Sequence, residues 1–319
     1  MSNATSVPNV TASPATKEVA RIVTAHRQTE GAGFVVRRPV PSAGLEVVDP
    51  FLLIDEMGPV EYAPGQAVGA PDHPHRGFET VTYVLEGEFE HEDSAGHRGA
   101  IRAGDVQWMT AGAGIVHSEE PSRAIREKGG RMHGFQIWVN LPARLKMTQP
   151  RYQEVKAERI PRASTADGKA RVRVIAGAAL GVKAVIDTRT PIVYQDWTVD
   201  SGGDVSVRLE NGESALVYVF EGSVRVGDGG QGDRGEGDGG QEVRDGQMAI
   251  LGAGDVVRLR GPEEAGKHGR LLLLGGTPLR EPVARYGPFV MNTRAELQQA
   301  FDDFRSGRMG EITRTAVVG

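Results

Sequence analysis

Short runs of apolar and β-branched residues alternate with polar residues along most of the chain, and glycine or proline ends nearly every run. Clear examples are residues 80–90 (TVTYVLEGEFE), 135–141 (FQIWVNL), 171–177 (RVRVIAG), 192–199 (IVYQDWTV) and 215–226 (ALVYVFEGSVRV). A period of two between turn residues predicts β-strands, and their regular recurrence predicts a sandwich or barrel. Residues 271–274 (LLLL) are predicted to form a buried strand.

The strand pattern also repeats within the chain. YVLEGEFE at residues 83–90 resembles YVFEGSVR at 218–225, and IRAGDVQW at 101–108 resembles LGAGDVVR at 251–258. Two such matches in the same order predict an all-β protein made of two copies of one β-barrel. The separations, 135 and 150 residues, differ because residues 227–241 (GDGGQGDRGEGDGGQ) form an insertion. This insertion lacks the nonapeptide period of calcium-binding repeats, so it is interpreted as a flexible loop.

The repeat divides the chain into a first barrel over residues 18–150 and a second over 151–319, after a tail at 1–17 that is rich in Ser, Thr, Pro and Asn and is predicted to be disordered. Residues 293–307 (TRAELQQAFDDFRSG) give the clearest helix. Thr293 and Glu296 form a capping box, and Gly307 is a plausible stop. We expect this helix to pack against a barrel through an apolar face of Leu297, Ala300, Phe301 and Phe304.

Composition excludes several classes of function. The 319 residues contain no cysteine, which removes disulfides, thiolate nucleophiles and thiolate metal ligands. A formal net charge of −5, with mixed and scattered charges, argues against direct binding to nucleic acid or to an anionic membrane. No apolar run has the length of a membrane helix, and the first twenty residues lack the pattern of a secretory signal. Together these features predict a cytoplasmic location.

Two short motifs carry the candidate chemistry. Residues 72–80 (DHPHRGFET) place His73 and His75 at a spacing of two, and residues 114–120 (GIVHSEE) do the same for His117 and Glu119. In an extended strand, such pairs project to one face. Two pairs on neighbouring strands would bring three imidazoles and a carboxylate together. Because an unpaired buried carboxylate is costly, we predict a metal site built from nitrogen and oxygen.

Other residues compete for roles in this site. Glu79 lies four residues after His75, and simple alternation would let it face inward, so spacing alone does not separate it from Glu119. His91 and His97 fall in a predicted hairpin turn and are expected to be solvated. His133 is expected to orient a neighbour or to line the cavity. The remaining histidines, His26 and His268, have no partner at ligand spacing.

The motifs resemble the pirin family of two-cupin proteins. The resemblance extends over residues 49–59 (DPFLLIDEMGP), 71–99, 104–121, 138–142 (WVNLP) and 146–154, and returns at 287–293 (GPFVMNT). It implies two tandem cupin (jelly-roll) β-barrels with a short C-terminal helix. It also implies that His73, His75, His117 and Glu119 hold a metal, usually iron, which favours Glu119 over Glu79. Several pirin-like proteins act as quercetin 2,3-dioxygenases, whereas others regulate transcription factors or metabolic enzymes by protein–protein contact.

The second barrel departs from a cupin metal site. The positions that correspond to His73, His75 and His117 are Arg208, Glu210 and Lys267. As the resemblance also implies, we expect this barrel to hold no metal and to serve a structural role.

The chemistry that this resemblance implies uses a small aromatic substrate and O2. Four nitrogen and oxygen ligands on a six-coordinate ion leave two open positions, which suits Fe(II) best and also Mn(II), Ni(II) or Co(II); Zn(II) would bind without O2 chemistry. Glu119 would take the proton of a flavonol 3-hydroxyl. Phe78, Trp108, Met109 and Phe135 could line the substrate pocket or belong to the core. The alternative is a metal-binding regulatory protein that acts on a protein partner.

Overall fold

The computed structural model describes residues 14–31, 33–209, 213–229 and 239–314. Twelve strands form in the first half of the chain: β1 (Val19–Thr24), β2 (His26–Glu30), β3 (Phe34–Val40), β4 (Phe51–Tyr62), β5 (Ala70–His75), β6 (Phe78–Glu86), β7 (Glu88–Asp93), β8 (Arg98–Arg102), β9 (Val106–Thr110), β10 (Ile115–Pro121), β11 (Gly130–Asn140) and β12 (Arg151–Val155).

Thirteen further strands follow: β13 (Arg162–Ser164), β14 (Ala170–Ala176), β15 (Ala178–Ala179), β16 (Val182–Lys183), β17 (Ile192–Asp200), β18 (Asp204–Arg208), β19 (Ser214–Val226), β20 (Gln241–Arg244), β21 (Gln247–Leu251), β22 (Val256–Arg260), β23 (His268–Gly276), β24 (Ala284–Tyr286) and β25 (Phe289–Met291). The α-helices are α1 (Arg123–Lys128) and α2 (Arg294–Arg305), and short 3₁₀ turns cover Ala143–Leu145 and Ala157–Arg159.

These strands form the two barrels that the repeat predicts. In the first barrel, a seven-stranded sheet in the order β12-β9-β6-β11-β4-β3-β2 faces a four-stranded sheet in the order β5-β10-β7-β8. The second barrel is built on the path β1-β21-β19-β23-β17-β14-β13, with β18, β20 and β22 attached through β19 and β22. All pairings between these strands are antiparallel, as in a cupin barrel.

The ends of the two barrels are exchanged, which the simple division of the sequence did not predict. Strand β1 was assigned to the first barrel but pairs with β21 of the second. Strand β12 was assigned to the second barrel but pairs with β9 of the first. Thr16 and Lys17, placed in the disordered tail, lie against the second barrel, where the Lys17 ammonium donates to the carbonyls of Glu213 and Gly252. Edge strands gain ladder hydrogen bonds by this exchange, and each barrel thereby holds an end of the other.

The C-terminal segment also returns to the first barrel. Helix α2 begins with the predicted capping box of Thr293 and Glu296, and Leu297 and Ala300 are buried in a cluster with Val116 of β10. Phe304 differs from the expected apolar face because it is 39% exposed. The helix therefore covers the strand that carries His117, rather than the barrel to which its sequence position assigned it.

Alternation along β6 and β11 sorts side chains between two environments. Val81 and Phe135 face the second barrel and pack with Tyr218 and Leu272 in one core that both barrels share. Their neighbours, such as Thr82, face the interior of the first barrel. The aliphatic run at 271–274 is fully buried, as predicted, because Leu271 and Leu273 fill the second barrel while the other two leucines fill the shared core.

A buried polar cluster crosses the contact between the barrels. The Glu56 carboxylate is fully buried and accepts two hydrogen bonds from Arg37, at 2.8 and 2.6 Å. His133 Nε2 lies 2.9 Å from Glu56 Oε1, and the Tyr218 hydroxyl donates to Oε2 at 2.6 Å. His133 thus orients a neighbour, one of its two expected roles, and burial beside Glu56 raises the pKa of Tyr218 well above its usual value.

Candidate metal centre

Three imidazole rings converge inside the first barrel. His73, His75 and His117 each offer a ring nitrogen, and these nitrogens all lie within 4.8 Å of one another. The ring centroids are 4.3 Å apart for His73 and His117, 4.7 Å for His73 and His75, and 5.0 Å for His75 and His117. The predicted convergence of the three histidines is therefore present.

Strand pairing explains why these side chains meet. In the antiparallel pair of β5 and β10, His117 lies directly opposite His73, and Ile115 lies opposite His75. Directly opposite residues share a face of the sheet, and His75 shares it with His73 by the period of two. Pro74 favours the extended conformation of the residue before it, which keeps both histidines on that face.

Each of the three rings keeps at least one nitrogen free to bind a metal. His73 Nδ1 lies 2.7 Å from the carbonyl oxygen of Pro71, and His75 Nδ1 lies 3.4 Å from that of Pro288. A carbonyl accepts only from an N–H, so these contacts assign the proton to Nδ1 and leave Nε2 free as a ligand. His117 is buried, and neither of its ring nitrogens has a hydrogen-bond partner.

The electrostatics of the triad favour the neutral, ligating form of histidine. Burial, followed by the charge of His73, holds the pKa of His75 and of His117 well below its usual value. Metal binding requires neutral imidazole, and a buried nitrogen without a partner is costly unless something accepts its lone pair. The orphaned nitrogens of His117 therefore fit a resident metal ion.

Glu119 lies farther along β10, after an irregularity in register between His117 and Glu119. Its Oε1 accepts a hydrogen bond from the Thr82 hydroxyl at 2.8 Å, and its Oε2 accepts one from Gln136 Nε2 at 2.9 Å. The carboxylate is not part of the group of atoms within 4.8 Å that the histidines form. Its role as a fourth ligand thus stays a prediction, and its observed partners are a hydroxyl and an amide.

Glu79, the competing carboxylate, does not face the triad. Gly77 adopts a φ of 90° between β5 and β6, and this left-handed residue breaks the alternation that would have placed residues 75, 77 and 79 on one face. The Glu79 carboxylate instead accepts a hydrogen bond from Thr110 at 2.6 Å. Alternation places it on the face of Val81, which packs into the shared core.

A largely apolar cavity opens beside Glu119. Thr82, Glu119, Gln136 and Asp55 supply its polar side chains. Most of its lining is apolar and includes Phe34, Met57, Val60, Tyr62, Phe89 and Met132. A concave apolar site with a few convergent polar groups is the usual form of a small-molecule pocket. The ligand of this cavity would therefore meet the carboxylate of Glu119.

The four residues that could have lined the substrate pocket or belonged to the core belong to the core. Phe78, Trp108, Met109 and Phe135 are fully buried, and none of them lines this cavity. Trp108 and Phe135 face the second barrel, in the shared core. Phe78 contacts the triad, because its ring lies 5.1 Å from that of His75.

His91 was expected to be solvated, but it is 2% exposed. It lies on β7 directly opposite Glu119, and its Nε2 is 2.6 Å from Glu154 Oε1. Strand β7 is longer than the predicted hairpin implied, and the turn falls after Asp93. His97 is in that turn and its side chain is 60% exposed, in agreement with the prediction.

Thr82 and Gln136, which hydrogen-bond to Glu119, were not among the predicted site residues. Each is a polar residue between two buried apolar neighbours on its strand, and that contrast was the available signal. The C-terminal segment supplies the carbonyl of Pro288, which accepts from His75, and the carboxylate of Asp303, which forms an ion pair of 2.7 Å with the buried Arg76. Both partners are more than 200 residues along the chain from the residue that they contact. No local pattern links such distant positions.

The second barrel has no comparable centre within the described residues, where the triad is the only cluster of three or more potential ligands. Arg208 and Lys267 are exposed, and Glu210 lies outside the described part of the chain. The interior is instead filled by a cluster that includes Trp197, Val217 and Leu273.

The fold and the triad define a two-cupin protein with a candidate metal centre in its first barrel. Family models for pirin and for the pirin C-terminal cupin domain match residues 33–139 and 194–310, respectively. The pirin of Rattus norvegicus is 43% identical over 296 residues, which cover 92% of this chain and 94% of that protein. The chain therefore belongs to the pirin family.

Solved structures agree with this assignment. A quercetin 2,3-dioxygenase from Acinetobacter baumannii superposes with a TM-score of 0.83 and 37% identity, covering 94% of this chain and all of that one. A bacterial pirin from Escherichia coli, solved in complex with nickel(II), shares the fold with a TM-score of 0.59 and 18% identity, covering 81% of this chain and 99% of that one. Neither helix in the described residues is long and apolar enough to span a bilayer.

Proposed function

We propose that this protein is an Fe(II)-dependent dioxygenase that cleaves a flavonol such as quercetin. The observation that carries the proposal is the convergence of three imidazoles, those of His75 and His117 buried and that of His73 half-buried, in a barrel that also holds an apolar cavity lined by Glu119. The related structure from Acinetobacter baumannii, described as a quercetin 2,3-dioxygenase, supports this substrate class. Fe(II) would supply O2 activation and a Lewis-acid site for the substrate oxygen, and the three histidines with Glu119 would hold it.

The histidines are arranged to bind rather than to transfer protons. The carbonyls of Pro71 and Pro288 hold the Nδ1 protons of His73 and His75, which fixes the two rings with Nε2 toward the centre. Such outer hydrogen bonds orient ligands and increase their basicity. Burial lowers the pKa of His75 and of His117, so that neither ring competes with Glu119 as the acceptor of the substrate proton.

Glu119 is the group placed to move a proton. In the proposed reaction, its carboxylate accepts the proton of the flavonol 3-hydroxyl and leaves an electron-rich enolate for oxidation. Thr82 and Gln136 each donate to one oxygen of this carboxylate, which fixes its position.

The cavity suits a flat, hydroxylated aromatic molecule. Its mostly apolar walls would bury the ring surface of such a molecule. The Asp55 carboxylate also lines this cavity and is held by Arg38. It offers an acceptor for a second hydroxyl group of the substrate, at a position separate from Glu119.

The direct test is the loss of flavonol absorbance when iron-loaded protein is mixed with quercetin under air. We expect turnover by the wild type and none by His75→Ala, which loses a ligand. Glu119→Gln should reduce turnover by about 10²–10⁴-fold, because it removes the general base. His268→Ala, a histidine substitution at an exposed position of the second barrel, is the matched control and should retain full activity.

An inert, fully iron-loaded wild type would contradict the dioxygenase proposal for this substrate. The regulatory alternative would then be favoured, in which the metal-loaded protein acts on a protein partner. Metal analysis of the same samples separates this outcome from simple failure to load iron.

A further inference from the structure

We propose a second ligand site, for the phosphate monoester of a hydroxylated small molecule, in a cleft of the second barrel. The arginine cleft is defined by Arg162, Arg171, Arg173, Arg270, Ser164, Asp196 and Thr198. Its empty volume is about 890 Å³, and its lining carries four guanidinium groups but a single carboxylate. None of these residues belongs to the metal centre or to the cavity beside Glu119.

Strand register brings the four arginines together on one sheet face. Arg162 of β13 lies directly opposite Arg173 of β14, and Arg171 lies opposite Ser164. On the other side of β14, Arg171 faces Thr198 of β17, which in turn faces Arg270 of β23. Directly opposite like charges in an antiparallel pair are destabilising. A bound anion would relieve the repulsion between Arg162 and Arg173.

Two of the four guanidinium groups have no carboxylate partner within the described residues. Arg162 donates only to the carbonyl of Ala157, at 3.4 Å, and Arg173 only to that of Gly104, at 2.6 Å. By contrast, Arg171 is paired with Asp200 at 2.6 Å. The Arg270 guanidinium lies between two carboxylates: one of its nitrogens is 3.4 Å from Asp196 Oδ2, and another is 3.7 Å from Glu221 Oε2. Arg173 also lies over the Tyr83 ring, 5.4 Å from its centroid, and directly opposite Asp196 on β17. Neither contact is an ion pair, so Arg162 and Arg173 both keep hydrogen-bonding capacity for an anionic ligand.

The geometry favours phosphate. Guanidinium groups bind phosphate oxygens through paired, charge-assisted hydrogen bonds. The hydroxyls of Ser164 and Thr198 lie on the same face and add neutral donors for further oxygens. A tetrahedral dianion presents enough acceptor sites to contact both Arg162 and Arg173 together with such hydroxyls.

Asp196 indicates that the ligand also carries a hydroxyl group. Its side chain is buried, and Oδ2 accepts from the Tyr83 hydroxyl at 2.6 Å. Oδ1 is also buried but has no hydrogen-bond partner in the described structure. An unpaired buried carboxylate oxygen is costly, and it would repel a bare phosphate. A hydroxyl donor on the same ligand satisfies Oδ1 while the phosphate contacts the arginines.

Isothermal titration of the full-length, metal-loaded protein tests this site. The probes are glucose 6-phosphate, inorganic phosphate and glucose, at one ionic strength set with sodium chloride. We expect one saturable site per chain for the sugar phosphate, weaker binding of inorganic phosphate, and no binding of glucose. Loss of one charge-assisted hydrogen bond corresponds to about 10–100-fold in affinity, which is the decrease expected for Arg162→Gln and for Arg173→Gln.

Two controls separate the arginine cleft from other sites. Arg244→Gln removes an exposed arginine that is paired with Glu242 in the same barrel, and should leave the affinity unchanged. His75→Ala disrupts the metal centre and should also leave it unchanged. Absence of saturable binding, equal affinity for glucose 6-phosphate in both cleft variants and wild type, or loss of binding in His75→Ala would each overturn the proposal. Arg162 is exposed on a short strand, so its substitution tests binding without disturbing the core.

Discussion

The two barrels share a strand plan and differ at the positions that face their interiors. Thr82 and Gln136 are cross-strand partners in the first barrel. The repeat places Val217 at the position of Thr82, and Val217 is paired with Leu273. The first pair holds a carboxylate, whereas the second pair is buried among aliphatic side chains. One backbone thus supports either a candidate metal centre or a packed core, and a few inward-facing residues decide which.

The largest difference between the barrels should appear in iron content when a metal-binding side chain is removed. His117→Ala deletes a buried imidazole whose nitrogens have no other partner, so bound iron should fall from about one per chain to near zero. Metal analysis by mass spectrometry measures this. His268→Ala in the second barrel should keep the wild-type iron content, and equal loss in both variants would remove the distinction between the barrels.

A cavity in the second barrel should affect stability without affecting the metal. Leu273 is fully buried, so Leu273→Ala should lower the free energy of unfolding by about 2–5 kcal/mol. Urea denaturation followed by tryptophan fluorescence measures the change. Iron content should stay at the wild-type value, and its loss would show that the second barrel contributes directly to the centre.

Exchange of the equivalent residues should separate catalysis from packing. Thr82→Val removes a hydrogen bond to Glu119, and we expect turnover to fall by about 10–100-fold with little change in iron content. Steady-state kinetics with quercetin measures this effect. The reciprocal Val217→Thr buries a hydroxyl in the aliphatic interior, which should cost about 1–3 kcal/mol of stability and leave turnover unchanged. Wild-type turnover in Thr82→Val would contradict the role given to Glu119.

The smallest expected effect lies at the contact between the barrels. Tyr218→Phe removes one of the hydrogen bonds to the buried Glu56 and should cost about 1.5 kcal/mol, measured by thermal or urea denaturation. Arg37 still forms an ion pair with the carboxylate in this variant, and His133 stays within hydrogen-bond distance of it. A cost as large as that of Leu273→Ala would mean that this cluster, rather than packing, dominates the contact.

The sequence was sufficient for the parts of the structure that depend on local patterns. Period-two strands, the internal repeat, the capping box of α2 and the three histidines all follow from residues that are close together. Glu79 shows where alternation fails, because a single left-handed glycine at position 77 reverses which side chains face inward. His91 shows that the length of a hairpin, and hence burial, is not fixed by its turn residues.

Features that depend on distant contacts could not be predicted in this way. Strand β1 pairs with the second barrel, and the C-terminal segment pairs with the first. Such pairing depends on which strand edges are unpaired in the folded protein, and no short sequence pattern encodes it. The same is true of His75, whose Nδ1–H donates to the carbonyl of Pro288. The arginine cleft likewise depends on the register of four strands.

The most direct test of the account is an anomalous difference map from crystals of iron-loaded protein, collected at the iron absorption edge. We predict a single strong peak in the first barrel, bonded to His73, His75, His117 and a carboxylate oxygen of Glu119, with none in the second barrel. A peak that lies away from the three histidines, or an ion that leaves no ligand position open to the cavity beside Glu119, would contradict the account.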